Sequence, residues 1–386
     1  MPEAVIVATS RTPIGRAAKG SLVDERPDDL VAFAIRDVLA KAPGVEPGDV
    51  VDVMVGCGFP EQRQGMNLGR RAALLAGLPV TVPGTTVNRF CASSLQTIRM
   101  AFHAIRAGEG ECYVAAGVES ISQVNGYPKD ASELHPRLHG EGAIADAYIP
   151  MGLTAENVAE RWGVAREEMD RFAQRSQERA VAAQASGFFA REITPYPRAD
   201  GTVVERDDGP RPESTLEKLA ALPPAFKEGG TVTAGNACPL NDGAAAVLVT
   251  SDEYARRRGL LPRARIVASS VSGVAPEIMG VGPVEAVRRV LAQAGMTIAD
   301  VDVVELNEAF AAQVLPVCRE LGVDPFGELL NPHGGAIALG HPYGMTGARI
   351  MCTLLNDLET LDRTIGLETM CVGGGQGMAM LVERIG

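Results

Sequence analysis

Aromatic side chains are scarce in this chain: one Trp, six Tyr and ten Phe make up 4% of its 386 residues. A core built on large rings is excluded, and the 43 glycines, with abundant alanine, call for helices packed closely on sheets. No apolar run reaches the roughly 20 residues that a membrane-spanning helix needs. Positive charge is also short. Lys and Arg number 36 against 48 Asp and Glu, a formal charge of −12, which argues against nucleic acid or an anionic membrane as the main partner. An anionic ligand would need a local basic patch. The seven cysteines are odd in number and none forms a C-x-x-C pair. That pattern predicts separate thiols in a reducing, cytoplasmic interior, with no disulfide framework and no metal site. No charged leader with an apolar run precedes the first strand, so no signal peptide is expected.

What is present is an alternation of strands and helices, in a chain long enough for two or three domain-sized units. Strands are expected at 3–8, 50–57 and 112–116, with helices at 28–41 and 65–76 between them. From about 120 the pattern lapses. Residues 121–150 lack periodicity, helices follow at 153–162 and 167–186, and 194–214 is rich in Pro, Arg and Asp. The alternation resumes with strands at 244–250, 264–270 and 302–306, helices at 283–294 and 309–321, and a Gly-rich loop at 334–347 leading into a helix to about 358. Two strands around Gly373-Gly374-Gly375 end the chain. This predicts an α/β protein with a mostly parallel sheet covered on both faces. Residues 1–120 would form an N-terminal half, completed by about 241–258. Residues 121–240 would form an inserted loop domain, and 259–386 a C-terminal half.

The two halves repeat each other. Val5-Ile6-Val7-Ala8-Thr9-Ser10 resembles Arg265-Ile266-Val267-Ala268-Ser269-Ser270, and Val51-Asp52-Val53-Met54 resembles Val301-Asp302-Val303-Val304. Cys91 follows Asp52 at the same interval at which His341 follows Asp302. Each lies in a loop before a helix, and a pseudo-twofold arrangement lets such loops meet. Beyond Cys91, Leu95, Ile98, Phe102 and Ile105 recur at helical spacing, and Gly108 supplies a stop. Cys91 therefore belongs at a helix N-terminus, where unpaired N–H groups and the dipole are expected to lower its thiol pKa.

Three further segments sit at strand ends or in Gly-rich loops, where open α/β sheets place their sites. Asn307-Glu308-Ala309-Phe310 ends a strand, and its Asn and Glu read as caps of the next helix. His341, between Gly340 and Gly344, reads as a base partner for Cys91. Cys371 precedes the three glycines and reads equally as a strand-end core thiol or as a second reactive thiol. His333 is assigned no chemistry.

VNRFCASSLQ, GNACPLNDGAAA, NEAFA, GGAIALGHPYGMTGAR and CVGGGQG, five motifs in order, resemble the thiolase family of acyl-CoA C-acyltransferases over essentially the whole chain. The resemblance implies the thiolase fold, two pseudo-symmetric halves with layered sheets and helices plus an inserted loop domain. It implies thiolytic cleavage of 3-ketoacyl-CoA through an acyl-cysteine, with coenzyme A as a substrate and no cofactor. Cys91 would be the nucleophile. His341 would activate it and, with a water held by Asn307, form one oxyanion hole. Cys371 would be the acid/base at the enolate, and the N–H groups of Cys91 and Gly373 the second hole. The loop domain would bind coenzyme A, with Arg211, Lys218 and Lys227 for its phosphates. Phe226, Ala234, Ala237 and Leu240 would lie along the pantetheine, and Met151 and Phe310 beside them. Cys238 stands where many members carry Ser. Ile149-Pro150-Met151-Gly152 resembles degradative members, and Tyr343 and Met345 replace the Ile and Ala of biosynthetic ones. Both point to substrates bulkier than acetoacetyl-CoA. The family's dimers and tetramers imply a homo-oligomer. A biosynthetic acetoacetyl-CoA thiolase and a noncatalytic acyl-CoA-binding or lipid-binding relative are the alternatives.

Overall fold

The computed structural model describes residues 1–124 and 131–385. In chain order the strands are β1 (Ala4–Arg11), β2 (Gly15–Arg16), β3 (Asp52–Gly56), β4 (Gly84–Val87), β5 (Cys112–Ser120), β6 (Tyr196–Pro197), β7 (Val203–Val204), β8 (Asn241–Ser251), β9 (Ala264–Gly273), β10 (Val303–Leu306), β11 (Ile365–Val372) and β12 (Gln376–Arg384). The helices are α1 (Pro27–Ala40), α2 (Leu68–Leu75), α3 (Ser93–Ala107), α4 (Met151–Trp162), α5 (Arg166–Ser186), α6 (Leu216–Ala220), α7 (Asp252–Arg257), α8 (Gly282–Ala294), α9 (Ala311–Leu321), α10 (Ala336–Leu339) and α11 (Thr346–Thr360).

Ten strands join in one sheet of order β10-β11-β12-β9-β1-β8-β5-β3-β4, with β2 on β8. At its centre β1 meets β9 only through Val5–Arg265 and Ile6–Ala264. Outward from that seam β8 matches β12, β5 matches β11 and β3 matches β10. Beyond β10, Leu330 bridges Val304 in parallel where β4 lies beyond β3. The sequence repeat is therefore a pseudo-twofold axis through the seam. The expectation of a mostly parallel sheet is corrected. Only β4-β3-β5 and β10-β11 run parallel, while β8 and β12 enter antiparallel. The chain reaches β12 through the tight Gly373–Gly375 turn, and a hairpin forces that direction. The 194–214 stretch, rich in Pro, Arg and Asp, holds the β6-β7 ribbon. Residues 125–130 of the aperiodic stretch lie outside the described residues.

Alternation along the strands sorts side chains into layers. Ile6, Tyr113, Ala115, Val247 and Val249 share one core with Met370, Met378 and Met380 from the other half and with Leu95, Ile98, Ile350 and Leu354 from α3 and α11. Val5, Val114, Ala116 and Leu248 face outward onto α1 and α2, while Leu367, Ala379 and Leu381 face α8 and α9. The sheet therefore wraps two central helices and is covered by two outer layers. α3 buries the face that its spacing predicted and ends at Gly108, whose φ of 77° and N–H bonds to Ala104 and Ile105 close the helix.

Candidate active site

The two central helices bring their N-terminal turns together. Before α3, Phe90 takes a φ of 42°, a costly backbone for a non-glycine residue. It is held by Asn88 Oδ1 on its N–H at 2.8 Å and by the Ser93 hydroxyl on its carbonyl at 2.7 Å. This turn leaves Cys91 buried at the start of α3. The N–H groups of Gly373 and of Cys91 itself are directed at the thiol sulfur and favour its thiolate, but burial outweighs them and pushes the thiol up to about 11. The expected lowering is thus overturned: desolvation of a buried thiolate exceeds the help from a helix end.

Before α11, Gly340 has a φ of 116°, and a Cβ there would meet the Asn241 amide at 2.6 Å. Asn241 Oδ1 accepts the His341 N–H at 2.9 Å. The His341 ring is buried, with Nδ1 2.7 Å from Thr346 Oγ1. Because the Thr346 hydroxyl donates to the Pro342 carbonyl, it accepts from Nδ1–H, and Nε2 keeps its lone pair. Burial and the positive charge of Arg349 push His341 down to about 3, so the imidazole is neutral at physiological pH. Nε2 lies 3.3 Å from Asn307 Nδ2.

Asn307 and Glu308 do not cap a helix, which corrects that expectation. α9 begins at Ala311 behind Phe310, with no side-chain cap. Asn307 stays on the site, its Oδ1 buried and without a hydrogen-bond partner among the described residues. Glu308 turns away, accepting from Ser176 Oγ at 2.5 Å, Asn331 Nδ2 at 2.8 Å and the Ile337 N–H at 3.2 Å. It thereby fastens the loop before α10 to α5. Cys371 is buried at the end of β11, with Gln313 Oε1 3.5 Å from its sulfur. Burial and the neighbouring Cys91 and Cys238 push it well above the usual thiol range. His333 stacks on Phe188 and bonds Asp357 at 2.5 Å, a structural role.

The wall around Gly373 is apolar. A Cβ there would touch the Phe90 ring at 3.5 Å and Met151 Sδ at 3.7 Å. Phe59 packs edge-on against Phe90 and Tyr343, and Tyr343 against His341. On the other side Ala237 bridges Phe310, the Cys238 N–H bonds the Ala309 carbonyl, and Phe226 meets Phe310 edge-on at 5.8 Å. Met151, Phe226, Ala237 and Phe310 thus belong to one strap beside the thiols. Leu240 and Ala234 are exposed on the same segment. The basic residues are more scattered. Lys218 is exposed on α6, Lys227 pairs with Glu160 at 3.4 Å, and Arg211 is held through its N–H by Gln177. Sequence reasoning missed Gln313, Thr346, Asn241 and the Arg89–Gln376–Gly373 chain of hydrogen bonds. Gln313, Asn241 and Arg89 act on partners distant in sequence, whereas Thr346 lies five residues from His341 and Gln376 three from Gly373. Asn241, Thr346, Arg89 and Gln376 all lie inside the five motifs, and only Gln313 lies outside them.

Family models for the thiolase N-terminal and C-terminal domains match residues 4–253 and 260–384. The chain is 45% identical over 395 residues to a 3-ketoacyl-CoA thiolase of Bacillus subtilis, covering 99% of this chain and 100% of that protein. It is 46% identical over 407 residues to a beta-ketoadipyl-CoA thiolase of Acinetobacter baylyi, covering 100% of both. The crystal structure of the Bacillus anthracis acetyl-CoA acetyltransferase superposes with a TM-score of 0.91 at 41% identity, covering 100% of this chain and 99% of that one. A doubled α/β fold with these relatives is that of an acyltransferase. The chain belongs to the thiolase family. No described helix is long and apolar enough to cross a membrane.

Proposed function

We propose that this thiolase cleaves 3-ketoacyl-CoA with coenzyme A, giving acetyl-CoA and a shortened acyl-CoA. Cys91 Sγ attacks the ketone carbon while its proton passes to His341 Nε2. With the thiol near 11 and the imidazole near 3, no resting ion pair forms, and the proton moves with the attack. The tetrahedral oxyanion is stabilised by His341 and a water on Asn307. Collapse breaks the Cα–Cβ bond and leaves acyl-Cys91. The acetyl-CoA enolate, stabilised by the N–H groups of Cys91 and Gly373, takes a proton from Cys371. Free coenzyme A then attacks acyl-Cys91, and its thiol proton returns to the site. Coenzyme A is a substrate, and the scheme uses no resident cofactor. The observation that supports this most strongly is the approach of two buried thiols, one from each half, with the Gly373 N–H directed at the Cys91 sulfur.

The strap of Met151, Phe226, Ala237 and Phe310 supports a pantetheine path, continued by Ala234 and Leu240. Arg211 and Lys218 are the cations we assign to the phosphates. The ring wall of Phe59, Phe90 and Tyr343 supports an apolar acyl chain, as in fatty acid β-oxidation. The beta-ketoadipyl relatives favour a second reading, an acyl chain ending in a carboxylate. Seven free thiols support a reducing, cytoplasmic setting, and we take the protein to be a homo-oligomer.

Thiolysis of acetoacetyl-CoA, a long-chain 3-ketoacyl-CoA and 3-oxoadipyl-CoA tests the substrate, with the long chain expected to give the highest kcat/KM. The site is tested with Cys91→Ser, expected to lose thiolysis and radiolabelling by acyl-CoA, and Cys371→Ala, expected to label but not cleave. Labelling of Cys91→Ser, or unchanged thiolysis by Cys371→Ala, refutes the assignment.

A further inference from the structure

The axis that brings Cys91 to His341 also relates the residues around them. With Asp52–Val53 matching Asp302–Val303, Cys57 corresponds to Asn307. Gly56 pairs with Gly117 as Leu306 pairs with Thr369, so Glu119 corresponds to Cys371. Cys371 neighbours the reactive thiol, and Asn307 meets the His341 ring. Their mates lie against the turn carrying His341. A Cβ at Gly344 would collide with the Val118 carbonyl and stand 2.8 Å from the Cys57 Cα, and one at Gly58 would stand 3.1 Å from the Tyr343 Cβ.

Glu119 is fully buried. Its Oε2 accepts the N–H groups of Gly58 at 2.7 Å and Gly344 at 2.9 Å. Its Oε1 accepts Gln64 Nε2 at 2.6 Å and the Phe59 N–H at 3.2 Å, with the Cys57 thiol at 3.7 Å. Burial pushes this carboxyl up, and the four N–H donors oppose that shift. A carboxylate buried without a cationic partner is costly to keep, whereas one that gathers donors from two halves of a chain is a strong, directional tie. Of the five donors, only Gly344 comes from the C-terminal half.

We propose that Glu119 is a positioning residue of the reaction: its carboxylate fixes the 341–345 turn, and through it the His341 ring, against the half that carries Cys91. The pseudo-symmetric mate of the acid/base thiol has become the anchor of the base. This rests on the assignment of His341 above.

Glu119→Gln tests it. The side chain keeps its shape, but an NH2 group must face two or more N–H donors. Three quantities are compared with wild type in the whole protein: kcat for thiolysis, KM for coenzyme A, and the rate of Cys91 alkylation by iodoacetamide at pH 8. The expected result is a tenfold or greater loss in both kcat and alkylation rate, with KM within twofold and an unchanged far-UV spectrum. A kcat within twofold of wild type, or a loss matching only the unfolded fraction, overturns the proposal. Should that variant not fold, Gln64→Leu, which removes one donor, is expected to lower kcat threefold or more at constant KM, and an unchanged kcat overturns it. His341→Ala is run alongside. If it keeps activity, the assignment of His341 has failed; if it is inactive while Glu119→Gln is normal, only the role of Glu119 has failed.

Discussion

At neutral pH the Cys91 thiol is protonated and the His341 ring is neutral. This differs from the thiolate–imidazolium pairs that activate many cysteine enzymes. Two opposed effects meet on Sγ, and their sizes decide the outcome. The Gly373 and Cys91 N–H groups lower the thiol, but full burial raises it further, to about 11. Below that value the thiolate fraction grows about tenfold per pH unit. Alkylation of Cys91 by iodoacetamide should therefore climb steadily from pH 7 to pH 9 with no plateau. His341, neutral down to about pH 3, should add no inflection near 6.5. Rates measured at half-unit steps decide this, and a plateau beginning below pH 7 would reveal a resting ion pair instead.

At the scale of elements, α3 and α11 pack closely where each follows its site turn, that of Cys91 and that of His341. Gly347, in the first turn of α11, lies so close to α3 that a Cβ would collide with the Leu95 backbone N–H, and the Ala348 N–H donates to Ser94 Oγ at 2.9 Å. Gly347→Ala must push the helices apart. Overpacking of this kind costs about 1–3 kcal/mol, so the urea midpoint should fall and kcat should fall with it. An unchanged midpoint would mean that the helices have room to move. Such contacts also explain what the sequence made legible. The helix of Cys91, its stop at Gly108 and the matching of Cys91 to His341 follow from spacing and repeat, which are local or periodic signals. The antiparallel entry of β8 and β12 does not, since alternation of elements carries no strand direction. Asn307 was misread because Asn favours helix caps, and only the tertiary fold shows α9 starting later. Glu119 and Gln313 gave no local sign, because their partners come from the other half or from a distant element. The raised thiol pKa was invisible for the same reason: burial belongs to the whole fold, not to a helix end.

At the scale of the molecule, the sheet closes neither of its ends. β4 is the terminal strand on the N-terminal side, and exposed edges of this kind are covered or blunted in stable proteins. Here the neighbourhood is apolar instead. Leu74 and Leu75 at the end of α2 are 44% and 46% exposed, Val80 is 77% exposed, and Met66, ahead of α2, is 87% exposed. A second copy of the chain covering that end would bury the group, and each fully buried side chain of this size contributes about 1.5–3 kcal/mol. β4 also runs directly into the Asn88–Ala92 turn, and its Val87 carbonyl accepts the Cys57 N–H at 2.9 Å. Assembly at this edge would therefore steady the segment that carries Cys91. Sedimentation equilibrium should give two or four times the 40.5 kDa chain mass at micromolar concentration. Val80→Asp should shift it towards the single chain, with specific activity falling over the same dilution range as the mass. A chain that sediments as a monomer with full activity would show that this edge stands alone and that the site needs no second copy.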